Sequence, residues 1–245
     1  MVFNSKDSKR LTSLVIVAGH SIYIGKTFEN ILDDSNWILF SFQKGEPKLY
    51  IEHIIKGCEI AKADKNALLI FTGGQSRKEA NAKSESQSYF ELADHLGLIN
   101  EDLRERSTTE EFSRDSFENL LFPICRFREF LGYYPNYITF VSFAFKERRF
   151  HLIRKVLRLT EDKVKFLGFN NPENLELALE GEEKAIKLME EYPYYNGGEL
   201  LQKKEQRNPW KRQNGYLISC PELKDLFLHI ESGKRELFRG NLPWD

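Results

Sequence analysis

Four short segments gather the side chains best able to handle a small anion. Ala18-Gly19-His20-Ser21 follows the apolar run Leu14–Ala18, and Thr72-Gly73-Gly74-Gln75-Ser76-Arg77 follows Ala67–Phe71, with Ser84-Glu85 shortly behind it. Ser113-Arg114-Asp115-Ser116-Phe117-Glu118-Asn119 opens a helical stretch, and Ser142-Phe143-Ala144-Phe145-Lys146-Glu147-Arg148-Arg149 follows a third apolar run. Glycines after a strand let the main chain approach a ligand, and the N–H groups of a helix start attract negative charge. Gly19, Gly73 and Gly74 are therefore candidates for close backbone approach. His20, Gln75, Ser84, Ser113, Ser116, Asn119 and Ser142 are candidates for polar contacts. Arg77, Arg114, Lys146 and Arg149 supply cations for a phosphate or carboxylate. Glu85 is the candidate general base, or the acceptor of a ribose hydroxyl. Each has a plainer alternative: a serine near a helix start is a cap, a glycine pair is a turn, and Glu85 suits a helix dipole.

The familiar catalytic signatures are missing from the sequence. There is no GxxxxGK[ST], no GxGxxG after the first apolar run, no GxSxG and no DxD pair. The five histidines form no HxxxH or HxH pair, so no metal site is expected. Cys58, Cys125 and Cys220 are far apart and form no CxxC, which points to reduced, buried thiols.

These segments need elements to position them. Leu14–Ala18, Ala67–Thr72, Tyr137–Ser142 and Val164–Phe169 are short apolar runs of the kind found in buried parallel strands. Between them the spacing predicts helices over Ile51–Ala63, from the cap Ser84 to about Leu96, over Arg114–Leu131 with Pro123 kinking or splitting it, and over Glu147–Leu157. Leu103–Glu111 is expected to be extended or looped. The alternation predicts an α/β, Rossmann-like three-layer fold with a mainly parallel sheet. That core is expected over residues 11–170, with residues 171–245 forming a mostly helical extension packed on it. The extension reads as a helix over Asn174–Glu191, a linker or surface loop over Tyr192–Asn214, a short helix over Pro221–Glu231, and a docked tail carrying Phe238, Leu242 and Trp244.

Lys plus Arg number 36 and Asp plus Glu 37 in 245 residues, a net charge of −1 that argues against a dedicated nucleic-acid binder. No apolar run approaches the roughly 20 residues of a membrane helix, and Met1–Arg10 lacks the apolar stretch of an export signal. A cytoplasmic protein without nucleic-acid or membrane partners is the expectation.

The succession Val15–Gly19 (VIVAG), Phe71–Ser76 (FTGGQS), Ser84–Ser86 (SES), Ser113–Asn119 (SRDSFEN) and Val141–Arg149 (VSFAFKERR) resembles the YdcF/SanA-like family, known as domain of unknown function 218. The likeness covers about two-thirds of the chain. SRDSFEN is its most specific part, with Ser116 where the family commonly has threonine. Asn208–Tyr216, Ser219–Leu223 and Leu242–Trp244 look like the longer soluble fungal members. The family's VTSxxHxxR segment here carries Lys146 in place of histidine and keeps Arg149. A lysine charged at neutral pH could not move protons as that histidine would, which favours anion binding over acid–base chemistry. The resemblance implies a Rossmann-like core with a pocket lined by these segments, and no particular reaction.

The combined expectation is a protein that binds a small anionic, nucleotide-like ligand, with S-adenosylmethionine and phosphate esters among the candidates. As an enzyme it would be a transferase or hydrolase. The alternatives are a non-catalytic binding or regulatory module, or an interaction protein using the Tyr192–Trp210 stretch as its contact surface.

Overall fold

The computed structural model describes residues 11–245, so the expectation for Met1–Arg10 lies outside the described residues. Five parallel strands form one sheet: β1 (Ser13–Ala18), β2 (Ala67–Thr72), β3 (Ser107–Glu110), β4 (Tyr137–Phe143) and β5 (Val164–Asn170), in the order β3-β2-β1-β4-β5. In the centre, Ser13 to Ala18 run in register with Ala67 to Thr72 on one side, and Ser13 to Val17 with Tyr137 to Val141 on the other. Alternate side chains serve opposite layers. Val15, Val17, Leu69 and Phe71 pack beneath helices α1 (Pro47–Ala63) and α2 (Glu85–His95). Leu14, Ile16, Leu68 and Ile70 pack on the other face, against α4 (Glu118–Leu131) and the C-terminal helices. Helix α3 (Glu101–Glu105) precedes β3, and α5 (Glu147–Val156) joins β4 to β5. The architecture is a Rossmann-like three-layer α/β fold.

The chain winds outward from β1 to β3, returns, and winds out the other way through β4 and β5. The direction reverses between β1 and β4, so the connections leaving their carboxyl ends diverge and open a crevice.

Beyond the sheet, α6 (Leu175–Glu191), α7 (Gly198–Gln206), α8 (Tyr216–Ser219) and α9 (Lys224–Glu231) follow. Met189, Tyr194, Tyr195, Leu200, Tyr216, Phe227, Leu242 and Trp244 are buried in the same core as Leu14 and Phe140. The indole of Trp244 donates to the Leu157 carbonyl at 2.6 Å, which docks the tail. Cys58, Cys125 and Cys220 are buried and unpaired. Among the described residues no helix is long and apolar enough to cross a membrane.

Three elements differ from the sequence expectation. Leu103–Glu111 splits into the end of α3 and an edge strand whose polar sequence STTE is only half buried. Helix α4 begins at Glu118, not Arg114, because Asp115 Oδ1 accepts from the Glu118 N–H at 2.8 Å while the Glu118 carboxylate turns back to the Arg114 N–H at 2.9 Å. It runs unbroken through Pro123. The Tyr192–Asn214 stretch is no loose linker: it buries Tyr194 and Tyr195 and contains α7.

Candidate functional site

A cavity of about 480 Å³ occupies the crevice between β1 and β4. Gly19 and His20 enter it from the end of β1, Ser142 from β4, Lys146 from the turn that follows, and Arg149 from α5. Glu85 comes from α2, Arg114 and Ser116 from the loop ahead of α4, and Asn119 from its first turn. Ser113 also borders it. The C-terminal helices complete the wall, with Leu177, Gly181 and Glu182 of α6 and Lys203 and Arg207 at the end of α7. An aromatic rim of Phe40, Phe42 and Phe145 faces the opening. Phe40 and Phe42 stack with centroids 5.3 Å apart, and the Arg77 guanidinium lies 3.5 Å from the Phe40 ring.

The glycine turn after β2 serves Glu85 first. A Cβ on Gly19 or on Gly73 would come within 2.7 Å of Glu85 Cβ, and Gly73 has φ +144. The two glycines clasp the glutamate, where the sequence suggested approach to a ligand. A Cβ on Gly74 would meet the Ser113 carbonyl at 2.9 Å, and the Gly74 N–H donates to that same oxygen at 2.8 Å. Gly74 and Gln75 border a separate, neighbouring cavity of about 450 Å³. The start of α2 is not open to an anion. The N–H groups of Glu85 and Ser86 go to the carbonyls of Gly74 and Gly73, both at 3.1 Å, and that of Gln87 goes to Ser84 Oγ at 3.0 Å. Ser84 is a buried cap. Glu85 accepts from the Ser76 hydroxyl. Burial pushes its carboxyl above the usual carboxylate range, opposed by Ser76, Arg207, Arg77 and Lys146.

Ser113 and Arg114 are also committed to the fold. Glu110, at the end of β3, is 1% exposed and forms no ion pair among the described residues. Its Oε2 accepts from Thr72 Oγ1 at 2.8 Å and from Ser113, and its Oε1 from the Phe112 N–H at 2.8 Å and the Tyr216 hydroxyl at 3.1 Å. Burial raises its carboxyl despite these donors. Arg114 spends its fork on Glu118, through Nε at 2.9 Å and Nη2 at 2.6 Å. Lys204 adds contacts to Asp115 at 2.9 Å and Glu118 at 3.3 Å, closing a buried four-residue ionic cluster.

What remains faces the cavity with polar capacity to spare. The hydroxyls of Ser116 and Ser142 make no hydrogen bond within the described residues, and Asn119 uses only Oδ1, accepting from Thr72 at 3.3 Å. Arg149 pairs with Glu182 at 2.8 Å and leaves its Nε without a partner. Arg207 uses one nitrogen on the Arg114 carbonyl at 2.9 Å. Lys146 Nζ lies 3.2 Å from His20 Nδ1. Burial, reinforced by Arg149 and opposed by Glu182 and Glu46, pushes its amine down to about 8. At neutral pH the ammonium still predominates, with the neutral amine nearer in reach than for an ordinary lysine. His20 is held well below its ordinary value by burial and by Lys146, His53 and Arg149.

Sequence reasoning missed Glu110, Glu46 and Arg207. Arg207 sat in the presumed linker, and no local motif marks the two glutamates.

No family model matches the chain, and no solved structure matches it. A protein of Saccharomyces cerevisiae described as uncharacterized protein YOR238W is 29% identical over 280 aligned positions, covering 91% of this chain and 89% of that protein. An alignment of that extent takes in C-terminal helices as well as the sheet, so the chain is similar to that protein across both parts that build the cavity.

Proposed function

We propose that the chain is a YdcF/SanA-like protein whose β1/β4 crevice binds a small anionic, nucleotide-like ligand. The observation that carries this reading is the surplus of unspent donors around one cavity: Arg77, Lys146 and Arg207 as cations, Ser116, Ser142 and Asn119 as neutral donors, at the reversal point of a parallel sheet. The fixed carboxylates there are paired or pushed toward neutrality, which leaves the balance cationic. The aromatic rim beside Arg77 suits a planar base, and the cationic floor suits a phosphate or carboxylate.

Thermal unfolding against phosphate, mono- and dinucleotides, sugar nucleotides, sugar phosphates and S-adenosylmethionine tests it. A ligand at about 100 times its Kd adds roughly 2.7 kcal/mol, a rise of at least about 5 °C for a chain of this size. The rise should disappear in Arg77→Ala and Arg207→Ala. No rise with any compound would overturn the reading.

A further inference from the structure

A line of polar side chains runs from the cavity wall into the layer beneath α1. It begins where Lys146 Nζ meets His20 Nδ1 at 3.2 Å. The lysine has N–H to give, so Nδ1 is the acceptor and the proton of neutral His20 sits on Nε2. At the far end, Asn170 Nδ2 donates to Glu52 Oε2 at 2.8 Å and to the Leu49 carbonyl at 3.2 Å. That orientation makes Asn170 Oδ1 an acceptor, and His53 Nε2 donates to it at 2.7 Å. His53 Nδ1 is therefore left as an acceptor.

Between these ends lie His20 Nε2 and His53 Nδ1. Both are buried with no hydrogen-bond partner among the described residues, on rings 5.3 Å apart by their centroids. One has a proton to give and the other a lone pair to receive it. Phe143 packs on both rings, at 4.7 and 4.8 Å, and Tyr50 lies 5.7 Å from His20. These two complementary orphans stand in ring contact inside one apolar shell with no hydrogen bond between them, which is costly for both. Two hydrogen-bonded ends, Lys146 to His20 and His53 through Asn170 to Glu52, thus meet at a ring contact.

We propose that Lys146 is the proton donor and acceptor of the cavity, and that His20, His53 and Asn170 are positioning residues that hold its nitrogen at the wall. The proposal rests on the crevice being the ligand site and names the chemistry the site performs there. The groups facing Lys146 are Arg149 on α5, which begins just after it, Glu182 on α6, Glu46 ahead of α1, Arg207 behind α7 and His20 after β1. Burial and the two arginines favour the neutral amine, the two glutamates the ammonium. Both forms coexist near neutral pH, so the ammonium gives a proton to a ligand oxygen, or the amine takes one from a ligand hydroxyl. Neutral His20 accepts from Lys146 without adding a second charge.

The test needs no ligand. Brief acetylation of the whole protein with acetic anhydride at a series of pH values, read by peptide mass spectrometry, should give Lys146 a reactivity midpoint near 8, against about 10.4 for an ordinary lysine. Long-range proton–nitrogen spectra of histidine-labelled protein should show His20 and His53 neutral, both with the proton on Nε2, from pH 6 to 9. His53→Phe should mix the His20 tautomers and move the Lys146 midpoint by at least half a unit, with unfolding still cooperative. A Lys146 midpoint above 10, a His20 proton on Nδ1, or a midpoint unmoved in His53→Phe would overturn the proposal. The wild-type spectra decide even where the variant does not fold. If these results hold while no compound in the thermal panel binds, the ligand class falls and the proton site stands.

Discussion

The carboxyl edge of the sheet carries two polar clusters of similar composition and opposite character. On the β2/β3 side, Thr72, Ser113, the Phe112 N–H and Tyr216 all converge on Glu110, and no donor is left over. On the β1/β4 side, Ser142, Ser116, Asn119 and Lys146 surround a cavity and keep capacity unspent. Hydroxyls, amides and a buried glutamate occur in both. The difference lies in whether the protein supplies the acceptor. Where it does, the cluster is a joint between sheet and C-terminal helices. Where it does not, the missing acceptor is what the proposed anionic ligand would bring.

The largest expected effect breaks the first cluster. Glu110→Ala removes the acceptor of two backbone N–H groups and of three hydroxyls at once. With about 1–3 kcal/mol for each donor left unsatisfied and some relaxation, a loss of roughly 4 kcal/mol is expected by urea unfolding. A loss below about 1 kcal/mol would mean that the joint is not one.

Acid should act on the second cluster. Burial holds His53 down to about 3 against an ordinary value of 6.5. Its folded value is depressed, so its contribution to stability is present above about 6.5 and is lost as the pH falls toward 3. From pH 7 to 5 the unfolded chain binds a proton that the folded chain refuses, a cost of about 2 kcal/mol for this one group. Unfolding of His53→Phe should fall less steeply over that interval than the wild type. Parallel slopes would show that the imidazole is not kept neutral.

Why one cluster was legible in the sequence and the other was not follows from particular residues. The strands β1, β2, β4 and β5 are apolar runs whose burial any parallel sheet requires, and the cavity lies at the carboxyl ends of β1 and β4. Ser107-Thr108-Thr109-Glu110 pairs on one side only, and three of its four residues are half buried, so it had no need of an apolar sequence. With β3 unseen, Glu110 had no place, and Ser113 could not be distinguished from Ser116. Helix α7 was hidden for a related reason: only Leu200 and Lys204 of it are buried. The altered lysine was beyond reach as well, because Arg149, Glu182, Glu46 and Arg207 approach Lys146 from four separate parts of the chain.

Removing that lysine sharpens the comparison. Lys146→Met keeps the length of the side chain and deletes a charge that burial already disfavours. Stability should hold or rise slightly, while affinity for the anionic ligand falls roughly 10- to 30-fold, the loss of one charge-assisted contact. A stability loss like that of Glu110→Ala, with affinity kept, would place Lys146 in the joint instead.

The smallest effects are the most discriminating, because they set one residue type against itself three positions apart. Ser113 gives its hydroxyl to Glu110 and is 3% exposed. Ser116 lines the cavity with its hydroxyl unspent. Ser113→Ala should cost about 1–2 kcal/mol of stability and leave ligand affinity unchanged. Ser116→Ala should leave stability within about 0.5 kcal/mol and weaken the ligand about three- to tenfold, the net value of a single neutral hydrogen bond. Paired urea unfolding and titration calorimetry on the two variants read both quantities. If the two serines behave alike, the division between a filled and an unfilled cluster is wrong. If they separate, the loop from Glu110 to Asn119 carries both tasks, folding at its first serine and binding at its second.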